Sequence, residues 1–202
     1  MRREEVTVPD RPDQIVVSEF VAAQRPRRAD AARNFDALLL AARAAFAEHG
    51  AEASLEDIAR RAGVGIGTLY RNFPTRRHLF ETVYANEVDD LGRVSAEVAD
   101  QPPWPALAAW LRRFVEYAMT KRAIREALAG EESTVFLACL QSMYDAGTPL
   151  LLRAQQAGEV RADMSIDDLL RMVSGITSVA YPSEEQRDRV LNIALDGVRT
   201  RR

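Results

Sequence analysis

The most constraining stretch of this chain runs from Ser54 to Thr75. Leu55, Ile58, Ala59 and Ala62 fall at helical spacing. Gly63-Val64-Gly65 then interrupts them, and a second run, Ile66 to Asn72, lasts only about two turns before Phe73-Pro74. Glycine admits the tight turn, and proline disfavours helical geometry in the residue before it, so both breaks have a backbone cause. Ser54 is placed to cap the first short helix, with Asp57 three residues on as a shorter-armed capping box, and Thr75 to cap the helix that follows. Upstream, Phe35, Leu38, Leu39, Ala42 and Phe46 give one buried face to a helix over 29–49, and Gly50 sits where a left-handed residue ends it. Downstream, a helix runs from Arg76 to about Ala99. Short helix, glycine turn, short helix, with longer helices behind, is the helix-turn-helix arrangement.

The remainder also reads as helical. Pro105 suits the first position of a helix to about Thr120, with Leu107, Trp110, Leu111, Phe114 and Ala118 on one stripe. A short helix follows from Lys121 to Ala129, ended by Gly130. Ser133 caps another to about Ala146, and Thr148-Pro149 restarts it as far as Gly158. Two wide apolar stripes close the chain. One carries Leu169, Leu170, Val173, Ile176 and Ala180 over 166–180, the other Val190, Leu191, Ala194, Leu195 and Val198 over 184–199. With only 10 Gly and 9 Pro in 202 residues there is little turn chemistry for an all-β fold, and 47% hydrophobic with 28% charged residues is globular composition. The expected fold is all-α with about nine helices. It comprises an arm over 1–28, in which 15–23 has the makings of a helical turn, a helix-turn-helix domain over 29–85, and a helical-bundle body over 86–202.

Several function classes find no support. The lone cysteine, Cys139, lies in an apolar stretch and reads as a small buried hydrophobe. No run of about 18 apolar residues appears, so no membrane span is expected. The charged start carries no apolar stretch, and the expected location is the cytoplasm. His49 and His78 have no Cys, His or carboxylate at ligand spacing. No metal-protease, phosphate-loop or nucleophile-elbow motif appears. Glu131-Glu132 reads as a solvated turn. No enzyme, metal or cofactor is expected.

The net charge of −3 is unevenly spread. Residues 25–85 hold ten arginines against seven acids, so this third is basic on an acidic body, as suits a polyanion-facing module. Within it, the segment Ile66, Gly67, Thr68, Tyr70, Arg71 and Asn72 has the character of a recognition helix. Gly67 allows close approach, the Thr68 and Tyr70 hydroxyls suit phosphate, and Arg71 and Asn72 reach phosphates or base edges. Arg25, Arg27 and Arg28 are placed for phosphate, a minor groove or plain solvent. Arg76 and Arg77 open a helix against its dipole, at about 0.3–1 kcal/mol each, which is easier to understand if an anion binds there. On spacing alone, a plain three-helix core with a charged surface remains the alternative.

The stretch ALLLAARAAFAEHGAEASLEDIARRAGVGIGTLYRNFPTRRHLF resembles the TetR family of bacterial transcriptional regulators, over about 45 residues at fixed spacing. The resemblance implies that Ser54 belongs to the DNA face, that Thr68 and Tyr70 contact phosphate, and that Arg76 replaces a phosphate-contacting lysine. It places Ile66, Gly67 and Asn72 toward the bases or the groove. Gly65 departs from the Ser or Ala usual there, which loses a side-chain cap and implies a looser helix start. The rest of the chain then stands as an effector-binding and dimerisation half. Trp110, Phe114, Tyr117, Met143 and Tyr144 are candidate effector contacts with Ser174 and Thr177 as polar partners, although such stripes also serve as simple core. Leu170, Val173, Ile176, Val190, Leu191, Ala194 and Val198 are candidate dimer contacts, with intrachain packing as the alternative. The implied function is a homodimeric repressor released from a palindromic operator by a hydrophobic small molecule. A DNA-bound scaffold recruiting a protein partner, and a helical carrier or enzyme with a vestigial motif, are the other readings.

Overall fold

Nine α-helices, a 3-10 turn and a single antiparallel bridge, Val160 to Arg199, form the regular structure of the described residues, 15–127 and 133–200, in this computed structural model. The helices are α1 (Val17–Gln24), α2 (Ala29–His49), α3 (Leu55–Arg61), α4 (Ile66–Asn72), α5 (Arg76–Glu97), α6 (Pro103–Ala127), α7 (Thr134–Gln156), α8 (Ile166–Thr177) and α9 (Glu184–Val198), with the 3-10 turn at Gly50–Glu52. Gly50 at φ +58° and Gly63 at φ +69° take the left-handed backbone that stops α2 and turns α3 into α4. Ser54 and Thr75 accept from the backbone N–H of Asp57 and His78. The box at Ser54 is only half made, because the Asp57 carboxylate turns instead to Arg60 and Arg61. A reciprocal box forms at Ser165 and Asp168, ahead of α8.

One contiguous core runs through the molecule, and α5 is its spine. Phe80 of α5 stacks on Phe46 at 4.1 Å between centroids, and Phe73 stacks on Phe35 at 5.2 Å. Further along α5, Tyr84, Val88 and Leu91 are buried together with Leu107, Trp110 and Phe114 of α6.

Besides α8, which ends at Thr177 short of the expected Ala180, three boundaries differ from the sequence reading. First, part of the expected arm is folded. Residues 17–24 make two helical turns that lie on α5 and touch α7, with Val17 buried and Phe20 and Val21 packed on the core. Arg25 then grips Asp36 of α2 through two hydrogen bonds of 2.8 and 2.6 Å, and Gln24 meets His78 at 3.0 Å. The residues before 15 lie outside the described region. Replacing Val17 with Asp is expected to detach α1, because burial of this side chain contributes about 2 kcal/mol and a buried unpaired carboxylate adds to the loss. Amide hydrogen exchange over 17–24 should become fast. Protection equal to that of the wild type would show that α1 is held by other contacts.

Second, α6 is continuous from Pro103 to Ala127, where two helices were expected, and it starts at Pro103 rather than Pro105. Gly130 and Glu131-Glu132 lie outside the described residues. Third, α7 passes through Pro149 without a break. The proline forgoes one hydrogen bond to Asp145, but tertiary packing holds the flanking turns. Leu150 and Leu151 are buried, and the Ser95 hydroxyl of α5 donates to the Ala146 carbonyl at 2.8 Å. By length and composition alone α7 would cross a membrane. Its buried stripe of Val135, Cys139, Met143 and Leu150 instead joins the common core.

Candidate nucleic-acid interface

The turn between α3 and α4 is closed by Gly63 N–H donating to Arg60 at 3.1 Å and Val64 N–H donating to Ala59 at 3.0 Å. Leu69 and Phe73 are fully buried and fix the rotation of α4 about its axis. At 100° per residue, the direction opposite Leu69 is occupied by Gly67 and Arg71, flanked by Thr68 and Tyr70. Tyr70 is 47% exposed and Ile66 37%. A Cβ added at Gly67 would meet no heavy atom within 4 Å, so the surface there is open. Gly65 provides no side-chain cap, yet Thr68 N–H reaches the Gly65 carbonyl at 2.8 Å.

The expected contact residues have distinct surroundings. Ser54, Tyr70 and Arg76 come together in a shallow cleft of about 390 Å³, which Glu52 and Glu56 also line. The Ser54 hydroxyl donates to Glu56 at 2.9 Å, and a backbone hydrogen bond together with this one holds the Glu56 carboxyl below its usual range. Arg76 donates to the Ala53 carbonyl at 2.7 Å and lies over the Phe80 ring at 5.3 Å, so it braces the start of α5 against the loop before α3. Arg77 pairs with Glu81 at 2.9 Å. Asn72 turns back onto its own helix, donating to the Thr68 carbonyl at 2.8 Å, and is half-buried. Arg71 lies along α4, with Nε donating to the Gly67 carbonyl and Nη2 to the Thr68 hydroxyl, both at 3.1 Å.

The aromatic candidates of α6 are packed against one another. Trp110, Phe114 and Tyr117 form a row with centroid spacings of 6.0 and 5.4 Å, and Tyr84 lies 5.6 Å from Tyr117. Trp110 donates to the Leu91 carbonyl at 3.1 Å, and the Tyr117 hydroxyl donates to that of Tyr84 at 2.6 Å. Burial pushes the Tyr117 phenol well up. Met143 is buried in the same core. Tyr144 donates to Asp167 at 2.6 Å, and desolvation followed by that bond pushes its phenol up to about 12. Ser174 is half-buried on α8, and Thr177 donates to the Val173 carbonyl at 3.0 Å. Of the candidate dimer residues, Leu170, Val173, Leu191 and Val198 are buried within the chain, while Ile176, Val190 and Ala194 are half-buried. Beside them Val179 and Ile193 stand 56% and 71% exposed.

Sequence reasoning did not find the ionic joint where α2, α5 and α6 meet. Glu87 of α5 is 2% exposed; it accepts a hydrogen bond from Arg113 of α6 at 3.1 Å and forms an ion pair with Arg43 of α2 at 3.1 Å. The one available signal was a lone acid on the inner face of an otherwise apolar stretch, Val83 to Val88. Among the described residues no group of three or more His, Cys, Asp or Glu is placed to hold a metal ion.

A short exposed helix joined across a glycine turn to a second short helix, with longer helices packed behind on an all-helical body, is the arrangement of a helix-turn-helix DNA-binding protein. Residues 38–83 match the family described as bacterial regulatory proteins, tetR family, and residues 102–200 match the SbtR-like transcriptional regulator C-terminal domain. A TetR transcriptional regulator of Streptomyces coelicolor is 41% identical, with 83% of this chain and 99% of that one covered and a TM-score of 0.70. A TetR regulatory protein of Mycobacterium vanbaalenii is 32% identical over 87% of this chain and all of that one, with a TM-score of 0.67. The transcriptional repressor LfrR of Mycolicibacterium smegmatis is 41% identical over 98 residues. That alignment covers 48% of this chain and 46% of LfrR, so the chain spans about half the length of this curated relative. The chain belongs to the TetR family of bacterial transcriptional regulators, which are not enzymes.

Proposed function

We propose that the chain is a homodimeric, one-component, cytoplasmic repressor that a hydrophobic small molecule releases from a palindromic operator. The observation that carries this reading is the outward face of α4, open at Gly67 and rotationally fixed by Leu69 and Phe73. A helix so presented fits the major groove. Thr68 and Tyr70 on its flanks are placed for phosphate, and Ser54 with Arg76 shapes the adjoining cleft. The match to LfrR, described as a repressor, supports the direction of control. Two subunits would read half-sites about 34–36 Å apart, or a multiple of that. The small molecule would act by binding one spacing of the dimer more tightly than the other, and its leverage is limited to that difference.

The test is fluorescence anisotropy on the DNA upstream of the protein's own gene, at two salt concentrations, against a scrambled duplex. Tight, sequence-dependent binding that weakens steeply with salt is expected. Tyr70→Ala should weaken it about 10-fold, the loss of one phosphate-positioning side chain. Equal, weak binding to both duplexes, followed by no enrichment in a genome-wide fragment selection, would refute the regulator reading.

Dimerisation through α8 and α9 is supported by apolar side chains left partly uncovered there: Ile176 and Val190 are half-buried, and Val179, just past α8, and Ile193 are exposed. Ile193→Asp is expected to halve the sedimentation mass while leaving the far-ultraviolet spectrum unchanged. A variant that stays dimeric would place the interface elsewhere.

A further inference from the structure

We infer that Arg71 reads a guanine in the major groove through the outer edge of its guanidinium; this rests on the DNA-binding reading above. Leu69 sets the inward direction of α4, so Arg71 and Gly67 lie on the line facing the groove floor, while Thr68 and Tyr70 face its walls. Residues on the walls meet phosphates, and residues over the floor meet base edges. Gly67 adds no side chain to that line and leaves open space above it.

The guanidinium itself is pre-set. A guanidinium carries five N–H donors in a planar fork. In Arg71 the Nε and Nη2 edge is turned onto its own helix, against the Gly67 carbonyl and the Thr68 hydroxyl at 3.1 Å each. That leaves the Nη1 and Nη2 end directed away from those acceptors. The spacing of two parallel donors there matches the O6 and N7 acceptors of guanine. The side chain is already held along the helix, so little rotamer freedom remains to be lost on binding. The bond to Thr68 has a second consequence. Its oxygen accepts from Arg71, so the hydroxyl hydrogen is directed elsewhere and suits a phosphate oxygen. Base reading and phosphate contact are thereby set by one pair of side chains.

The test selects binding sequences from a pool of random duplexes with the wild-type protein. It then measures affinity for the enriched duplex with 7-deazaguanine, which lacks N7, placed at each guanine in turn. One position in each half-site should lose about 10-fold. Arg71→Ala, an exposed change in a helix that alanine favours, should abolish preference at that position alone, a loss of about 10- to 100-fold in discrimination, with the salt dependence nearly unchanged. A uniform loss over all sequences, with the salt slope reduced by about one, would make Arg71 a phosphate contact and overturn the inference. Indifference to 7-deazaguanine at every position would overturn it too. If the wild-type protein enriches nothing from the pool, the DNA-binding reading fails and this inference with it; if it enriches a sequence and only the Arg71 results fail, the regulator reading stands.

Discussion

Replacing Glu87 by alanine is expected to cost about 3 kcal/mol, which for a chain of this size lowers the melting temperature by roughly 6–12 °C. The Glu87 carboxylate is buried and paired with two arginines that reach it from different parts of the molecule, Arg113 through a hydrogen bond and Arg43 through an ion pair. A buried ion pair adds little over an apolar replacement, because desolvation offsets the attraction. Removing the carboxylate is another matter, since two partly buried guanidinium charges are then left facing each other without it. Arg113, 14% exposed, would keep Asp90 at 3.2 Å and Glu116 at 3.5 Å, which holds the loss near the lower end of the 3–5 kcal/mol known for such cases. Arg43 would keep only a looser approach to Glu116 at 3.7 Å. Thermal denaturation of Glu87→Ala, Arg43→Ala and the double variant measures the coupling directly. The double variant should cost less than the sum, by about 0.5–3 kcal/mol. Additive losses, or a melting point within about 2 °C of the wild type, would mean that the carboxylate has no such role. The joint also ties α2, whose Phe35 stacks on Phe73 at the end of α4, to α6 of the body, so its loss bears on how the two are held relative to each other.

That joint shows what the sequence could and could not reveal. Local backbone rules were readable. Ser54, Thr75 and Gly63 act through their own residue types, and each starts or stops a helix where the pattern placed it. The buried stripe of α2 was equally legible, because its spacing has one interpretation. Long-range partners were not. Nothing near Val17 in sequence says that α5 and α7 supply the surface on which α1 folds. Pro149 carries a breaking signal, and only the packing of Leu150 and Leu151 overrides it. The same limit holds at the candidate interface. Residue types nominated Arg71, Asn72 and Arg76 alike, while the structure turns Asn72 inward, makes Arg76 a brace, and lays Arg71 along the outward face. Leu170, Val173 and Leu191 show the ambiguity of an apolar stripe, since one periodicity serves a chain's own core and a partner's surface equally well.

Gly147 in α7 should tolerate no side chain, although it lies inside a helix, where alanine is usually better by about 1 kcal/mol. A Cβ there would come within 2.5 Å of Trp110 Cη2 and 2.7 Å of Ile166 Cδ1. The Trp110 ring has no room to yield, whereas the Ile166 methyl ends a side chain that can turn aside. Trp110 is fully buried, donates from Nε1 to the Leu91 carbonyl at 3.1 Å and stacks on Phe114, and Ile166 starts α8 in the core. Overpacking of this kind costs about 1–3 kcal/mol, and here the clash is with a rigid, fully buried indole, so it outweighs the gain in helix propensity. Gly147→Ala is therefore expected to lose about 2 kcal/mol net, with a melting point lower by roughly 4–8 °C. Gly92 of α5 supplies the contrast, because a Cβ there meets nothing within 4 Å. Gly92→Ala should instead gain up to about 1 kcal/mol. Trp110→Phe removes the atoms that clash, so combining it with Gly147→Ala should cost less than the two changes summed. If Gly147→Ala melts with the wild type, α7 does not rest on the Trp110 ring. If the pair proves additive, the strain lies at Ile166 instead. The close approach also bears on Pro149, two residues on. A helix seated this tightly on an indole is held on its path by packing from outside its own backbone, which is how it keeps its course where the backbone rule alone would have broken it.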